Sequence, residues 1–122
     1  MIFGVGTDII EIERVKKAIS KKIFRDNVFT QAEQNYCNAR GKNSASSYAA
    51  RFAAKEAFFK ALGTGIFTRL TAVEIINDER GAPKIFLHDT AKILVQERGI
   101  EKIFVSLSHS REFAIAVCIL EA

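Results

Sequence analysis

The chain has 122 residues, 48% hydrophobic and 26% charged, with one Pro, seven Gly and two Cys. That is enough chain for one core without a disulfide or metal staple, and too little Pro and Gly for a disordered or collagen-like protein. Eighteen basic and fourteen acidic side chains leave a net charge of +4, which favours an acidic partner such as nucleic acid, a phosphorylated small molecule or an acidic protein.

Ile2 to Asp8 alternates like a strand, with Phe3, Val5 and Thr7 on one face and Ile2, Gly4, Gly6 and Asp8 on the other. A strand face with two glycines admits a second backbone or a ligand at close range. This stretch has no basic lead-in, and Gly4, Gly6 and Asp8 interrupt it, so no signal peptide is expected and the protein is expected to be cytoplasmic. A helix is expected from Ile9 to Lys22. Thr30 and Glu33 have capping-box spacing and predict a helix that starts at Thr30. Ser44 to Leu62 is the longest helical pattern, and Gly63 is its left-handed stop. Ala72–Asn77 and Lys84–His88 read as strands around the turn Asp78–Pro83. Asp89 is expected to cap a helix that ends near Gly99. Lys102–Ser108 and Phe113–Leu120 read as the arms of a hairpin. The apolar run Phe113 to Leu120 is far shorter than the roughly 20 residues a membrane span needs, so no membrane association is expected. Cys37 falls in a helical pattern and Cys118 in a strand, and both are expected to be reduced and structural. No linker or repeat divides residues 1–122, which read as a single domain. The fold class is α+β, a mainly antiparallel sheet packed on helices.

The helix from Ser44 to Leu62 is apolar on most sides, yet it carries Arg51, Lys55, Glu56 and Lys60. Buried charge needs a partner, a metal or an anion. One reading is an i,i+4 pair between Glu56 and Lys60. The other is a ligand site. Gly63-Thr64-Gly65 follows at once, and its backbone N–H groups can form a concave anion site. The spacing is not that of a P-loop. Asp8 is either a helix cap or, with Glu56, one of two carboxylates for Mg²⁺, an ion that takes hard oxygen ligands and retains several waters. Ser108, His109 and Arg111 open the last hairpin. Arg14, Lys17, Lys21 and Arg25 recur at helical spacing, either as a solvated face or as a docking face for an acidic surface. No aromatic side chains interleave with that stripe, so nucleic acid is not the expected partner.

Four blocks of the chain together resemble the holo-acyl-carrier-protein synthases, the small trimeric class of 4′-phosphopantetheinyl transferases. They are Gly6-Thr7-Asp8-Ile9 with Glu11, Ile12 and Arg14; Arg51 to Ala57, continuing through Lys60 to Gly65; Asn77-Asp78 with Gly81 and Pro83; and Ser106 to His109. Phe113 stands where similar sequences often have Tyr. The resemblance implies transfer of the 4′-phosphopantetheine arm of coenzyme A to a serine of an apo acyl carrier protein, with release of 3′,5′-ADP. Such transfer supports fatty acid biosynthesis and requires Mg²⁺. It implies Asp8 and Glu56 as metal ligands and, with Lys60, as the catalytic set. It implies Lys42, Arg51, Lys60, Gly63, Thr64, Gly65, Pro83, Ser108 and His109 at coenzyme A, with Arg14, Lys17, Lys21 and Arg25 docking the acidic carrier. The base for the serine proton is either Glu56 or a metal-bound water. A homotrimer with sites at the subunit interfaces is also implied. The alternating strand Phe113–Leu120 is consistent with this, because helices on one side of a sheet cover only one of its faces. The alternative function is a non-enzymatic basic module that binds an anionic partner, with Asp8 and Glu56 in structural roles.

Overall fold

A computed structural model describes residues 1–122. Strand β1 (Ile2–Glu11) leads into helices α1 (Ile12–Ala18), α2 (Lys22–Val28), α3 (Gln31–Asn38) and α4 (Ser44–Leu62). The hairpin β2 (Val73–Asn77) and β3 (Pro83–Leu87) follows, then α5 (Asp89–Glu97) and the hairpin β4 (Lys102–His109) and β5 (Phe113–Glu121). The class is α+β as expected, with antiparallel strands in two sheets rather than one: β1-β5-β4 and β2-β3. No helix is long and apolar enough to cross a membrane.

The expected helix from Ile9 is corrected. Ile9, Ile10 and Glu11 continue β1 because they pair with Ile115, Ala114 and Phe113 of β5, where β-branched side chains suit the pleated surface. The helical stretch then breaks at Ser20–Lys21, where the Ser20 hydroxyl donates to the Lys17 carbonyl at 2.6 Å and Lys21 is extended. The capping box is present in full: Thr30 Oγ1 accepts from Glu33 N, and Glu33 Oε1 accepts from Thr30 N. α4 has the expected bounds, and Gly63 closes it in the left-handed region at φ 78°. Asp89 does not cap α5. His88 holds the cap position, and Asp89 is the first helical residue.

The buried core centres on α4, which lies against the inner face of the three-stranded sheet. Gly4 and Gly6 make this contact possible. A Cβ on Gly4 would stand 2.0 Å from the Ala61 carbonyl oxygen, and one on Gly6 would stand 2.0 Å from that of Ala57. Strand backbone and helix backbone therefore touch directly. Cys37 and Cys118 are both free and buried. Burial raises the Cys37 thiol to about 11 and the Cys118 thiol to about 12, so both are protonated and unreactive at neutral pH.

The outer face of the same sheet is uncovered. Val5 is 54% exposed, Ile9 62%, Phe104 50% and Ile115 46%. The pairing places them in rows: Val5–Ile119–Phe104 and Ile9–Ile115–Ser108.

Gly6→Ala should lower stability by about 2–3 kcal/mol, because the added methyl meets backbone that cannot yield locally. Thermal denaturation checks this. A melting temperature equal to that of the parent chain would mean that α4 does not lie on β1 in this way.

Candidate functional site

Asp8 follows Gly4 and Gly6 on the inner face of β1, two residues further along the strand. The glycines hold that face against α4, so Asp8 is delivered to the helix. Lys60 Nζ donates to Asp8 Oδ1 at 3.1 Å, across the boundary between sheet and helix. The Lys60 side chain is 57% exposed and that of Asp8 16%. Glu56 lies one helical turn before Lys60, on the same flank of α4. It is half-buried and accepts no hydrogen bond from a protein group. Burial raises the Glu56 carboxyl above its ordinary range, the negative charge of Asp8 raises it further, and Lys60 opposes both. Two carboxylates and one ammonium therefore share one field. The Glu56–Lys60 pair read from the sequence is absent, and Lys60 bonds to Asp8 instead.

The donor set fits a hard divalent cation. It supplies oxygen only, from two carboxylates of which one has no protein donor, and no third His, Cys, Asp or Glu joins it. The remaining positions would fall to waters and to a ligand's own oxygens, as Mg²⁺ requires. A cleft of about 330 Å³ opens beside Asp8 and Lys60, lined also by Thr7, Ile9, Ser108 and Ile115. Gly63-Thr64-Gly65 continues directly from α4, three residues beyond Lys60, and is exposed, with Gly65 at φ 69°.

The other candidate residues do not all converge here. Lys42 and His109 line a separate cleft of about 520 Å³ together with Lys16 and Arg111. Arg51 is on the opposite side of α4 from Lys60, nine residues earlier. It is buried, its guanidinium lies 4.2 Å from the Tyr36 ring centroid, and it donates to Asn77 Oδ1. Asn77 Nδ2 in turn donates to the Gly81 carbonyl at 2.8 Å. Arg51 thus ties α4 to the β2–β3 turn just before Pro83, and one chain does not bring it to Asp8. Arg14, Lys17 and Lys21 are exposed. Arg14 and Lys17 lie on α1 and Lys21 is the extended residue before α2, so the series is not one helical stripe. Arg25 is half-buried and donates to the Ile19 carbonyl at 2.6 Å, so it closes the α1–α2 junction.

One pair was not identified from the sequence. Lys55 and Glu33 are fully buried and form an ion pair at 2.8 Å. The available signal was a lysine among alanines in a buried helix, with the acidic member of a capping box elsewhere in the chain.

The model for the 4′-phosphopantetheinyl transferase superfamily matches residues 4–118. The chain is 44% identical over 125 residues to a holo-[acyl-carrier-protein] synthase of Geotalea daltonii, covering 99% of each protein. It superposes on the crystal structure of holo-[acyl-carrier-protein] synthase from Neisseria meningitidis with a TM-score of 0.91 at 32% identity, covering 100% of both chains. A holo-(acyl-carrier-protein) synthase from Bacillus anthracis, solved in complex with CoA (3′,5′-ADP), gives a TM-score of 0.83 at 36% identity, covering 100% of this chain and 98% of that one.

The shared field of Asp8, Glu56 and Lys60 gives a signed expectation for the metal-free protein. Asp8→Asn should lower the Glu56 carboxyl pKa, and Lys60→Met should raise it. A carbon-detected NMR titration of Glu56 measures both shifts. No response to either substitution would separate Glu56 from the other two groups.

Proposed function

The chain belongs to the 4′-phosphopantetheinyl transferase superfamily, and from that premise we propose that it transfers the 4′-phosphopantetheine arm of coenzyme A to a serine of an apo acyl carrier protein, releasing 3′,5′-ADP. The observation that carries the reading is the meeting of Asp8, Glu56 and Lys60 beside an open cleft. A module that only binds anions gains nothing from two carboxylates at its anion site. The relative solved with CoA (3′,5′-ADP) supports coenzyme A as the donor.

Asp8 and Glu56 would hold Mg²⁺. When bound, the ion neutralises charge on the pyrophosphate and on the departing 3′,5′-ADP. Lys60 is long and exposed enough to leave Asp8 and place its ammonium on a phosphate oxygen. The Gly63 N–H is taken by the Phe59 and Lys60 carbonyls, so the turn offers the N–H groups of Thr64 and Gly65 as donors. Preorganised donors of this kind are worth about 10²–10³ in rate each. Arg14, Lys17 and Lys21 present exposed positive charge for the acidic carrier, and Arg25 supports that surface from within. The protein works in the cytoplasm as one domain over residues 1–122 and serves fatty acid biosynthesis.

The active unit is a homotrimer. The uncovered outer sheet face with Val5, Ile9, Phe104 and Ile115 supports this, because exposed apolar surface of that kind marks an interface. The separation of Lys42, His109 and Arg51 from Asp8 within one chain also fits a site completed by a neighbouring copy.

Incubation with coenzyme A, Mg²⁺ and an apo carrier protein should add the phosphopantetheine mass to the carrier, read by intact mass spectrometry. Asp8→Ala and Glu56→Ala should each abolish the adduct while the chain stays folded. No adduct from the parent chain, or normal turnover by either variant, contradicts the assignment.

Mixing His109→Ala chains with Asp8→Ala chains tests the shared site. Mixed assemblies should regain part of the activity that each variant lacks. No recovery on verified mixing, or full activity in a monomer, contradicts it.

A further inference from the structure

Lys55 is the one lysine that is fully buried. It lies in the middle of α4, immediately before Glu56. Its ammonium has three protons to donate, and three acceptors receive them: Glu33 Oε1 at 2.8 Å, the Leu70 carbonyl at 3.0 Å and the Val73 carbonyl at 2.7 Å. Glu33 is committed in turn. Its Oε1 also accepts from Thr30 N at 2.8 Å, and its Oε2 accepts from Ile75 N at 2.9 Å. One buried ion pair therefore joins the start of α3, the backbone entering β2, β2 itself and the centre of α4.

Stability alone does not call for such a pair. Two charges removed from water lose hydration, and an apolar pair of similar volume serves a core as well or better. A buried pair does supply directional restraint. The contact of α4 with β1 is made by glycine and alanine, which set how close the two backbones lie. Small side chains resist sliding and rotation poorly. Lys55 is about 160° around the helix from Ala57, on the back of α4 as seen from β1. Three fixed acceptors behind the helix and two glycines in front of it together define its position.

We propose that Lys55, through Glu33 and the carbonyls of Leu70 and Val73, is a positioning residue for the transfer reaction that fixes where α4 presents Glu56. This rests on the reading of Asp8, Glu56 and Lys60 as the site. Glu56 is the residue most exposed to the effect. Its side chain is short, and no protein donor holds its carboxylate, so its place follows the helix backbone. Lys60 has a longer, more exposed stem and can make up a small displacement. Loss of the Lys55 anchor should therefore slow turnover more than it weakens coenzyme A binding.

Lys55→Met alone strands the buried Glu33 charge and endangers the fold, so the deciding variant is Glu33→Gln/Lys55→Met. Its amide oxygen still accepts from one of the Thr30 and Ile75 N–H groups, and no charge is orphaned. In this variant kcat should fall on the order of tenfold, while the KM for coenzyme A stays within about threefold. In the metal-free protein, the backbone amide resonances of Lys60 on α4 and of Gly6 on β1 should shift while those of α5 stay in place. A folded double variant with parental kcat overturns the proposal. If the double variant does not fold, Glu33→Asp decides. It keeps both buried charges, shortens the anchor by one methylene and should show a smaller kcat loss at unchanged KM, so parental kcat again overturns the proposal. Absence of coenzyme A-dependent transfer by the parent chain overturns instead the functional reading beneath it.

Discussion

Direct contact between the backbone of β1 and the backbone of α4 is the constraint on which the site depends. Any side chain at Gly4 or Gly6 would enter the carbonyl oxygens of Ala61 and Ala57. Alanines on the helix and glycines on the strand remove every spacer between the two elements. Asp8 is the next residue on that strand face, so the same contact brings a carboxylate from the first strand to a carboxylate and an ammonium in the middle of the chain. The sheet register continues the arrangement, because Asp8 opposes Ala116 of β5, another small residue on the inner face. Packing and chemistry are therefore one feature here. A larger side chain would spoil the core and separate the charges in the same step.

Much of this is written locally. The alternation of Ile2 to Asp8 announces a face with two glycines, and the structure uses that face for a close backbone approach. The α4 bounds, the stop at Gly63 and the capping box at Thr30 and Glu33 are all local signals, and all appear where local chemistry puts them. What could not be read depends on distance in sequence. β1 runs on to Glu11 because β5, a hundred residues later, is there to pair with it. Glu33 reads as a capping residue and is one, but its second oxygen serves Ile75 and its first also serves Lys55. The resemblance expects Arg51 at coenzyme A, and no local signal foretells its partners within the chain. In the chain it is packed on Tyr36 and tied to Asn77. The Arg14-to-Arg25 series reads as one stripe, whereas the backbone breaks at Ser20–Lys21 and turns Arg25 inward.

The two faces of the three-stranded sheet divide the work. The inner face builds the core and delivers Asp8. The outer face, with Val5, Ile9 and Ile115, has no cover within the chain. Ile9 and Ile115 line the cleft that also contains Asp8 and Lys60, so whatever covers the outer face also borders the site. On the proposed reading, assembly and active-site completion are the same event, and the basic groups that one chain leaves apart from Asp8 are the ones a neighbour would bring.

On the proposed reading, Asp8 and Glu56, held together by this packing, share one divalent cation. A crystal structure with Mn²⁺ in place of Mg²⁺ and coenzyme A present, with anomalous data collected for manganese, measures this directly. One anomalous peak is expected within about 2.0–2.3 Å of a carboxylate oxygen from each residue, the range of a small hard cation on oxygen ligands. A peak bound by only one of the two carboxylates, or located at neither, contradicts it.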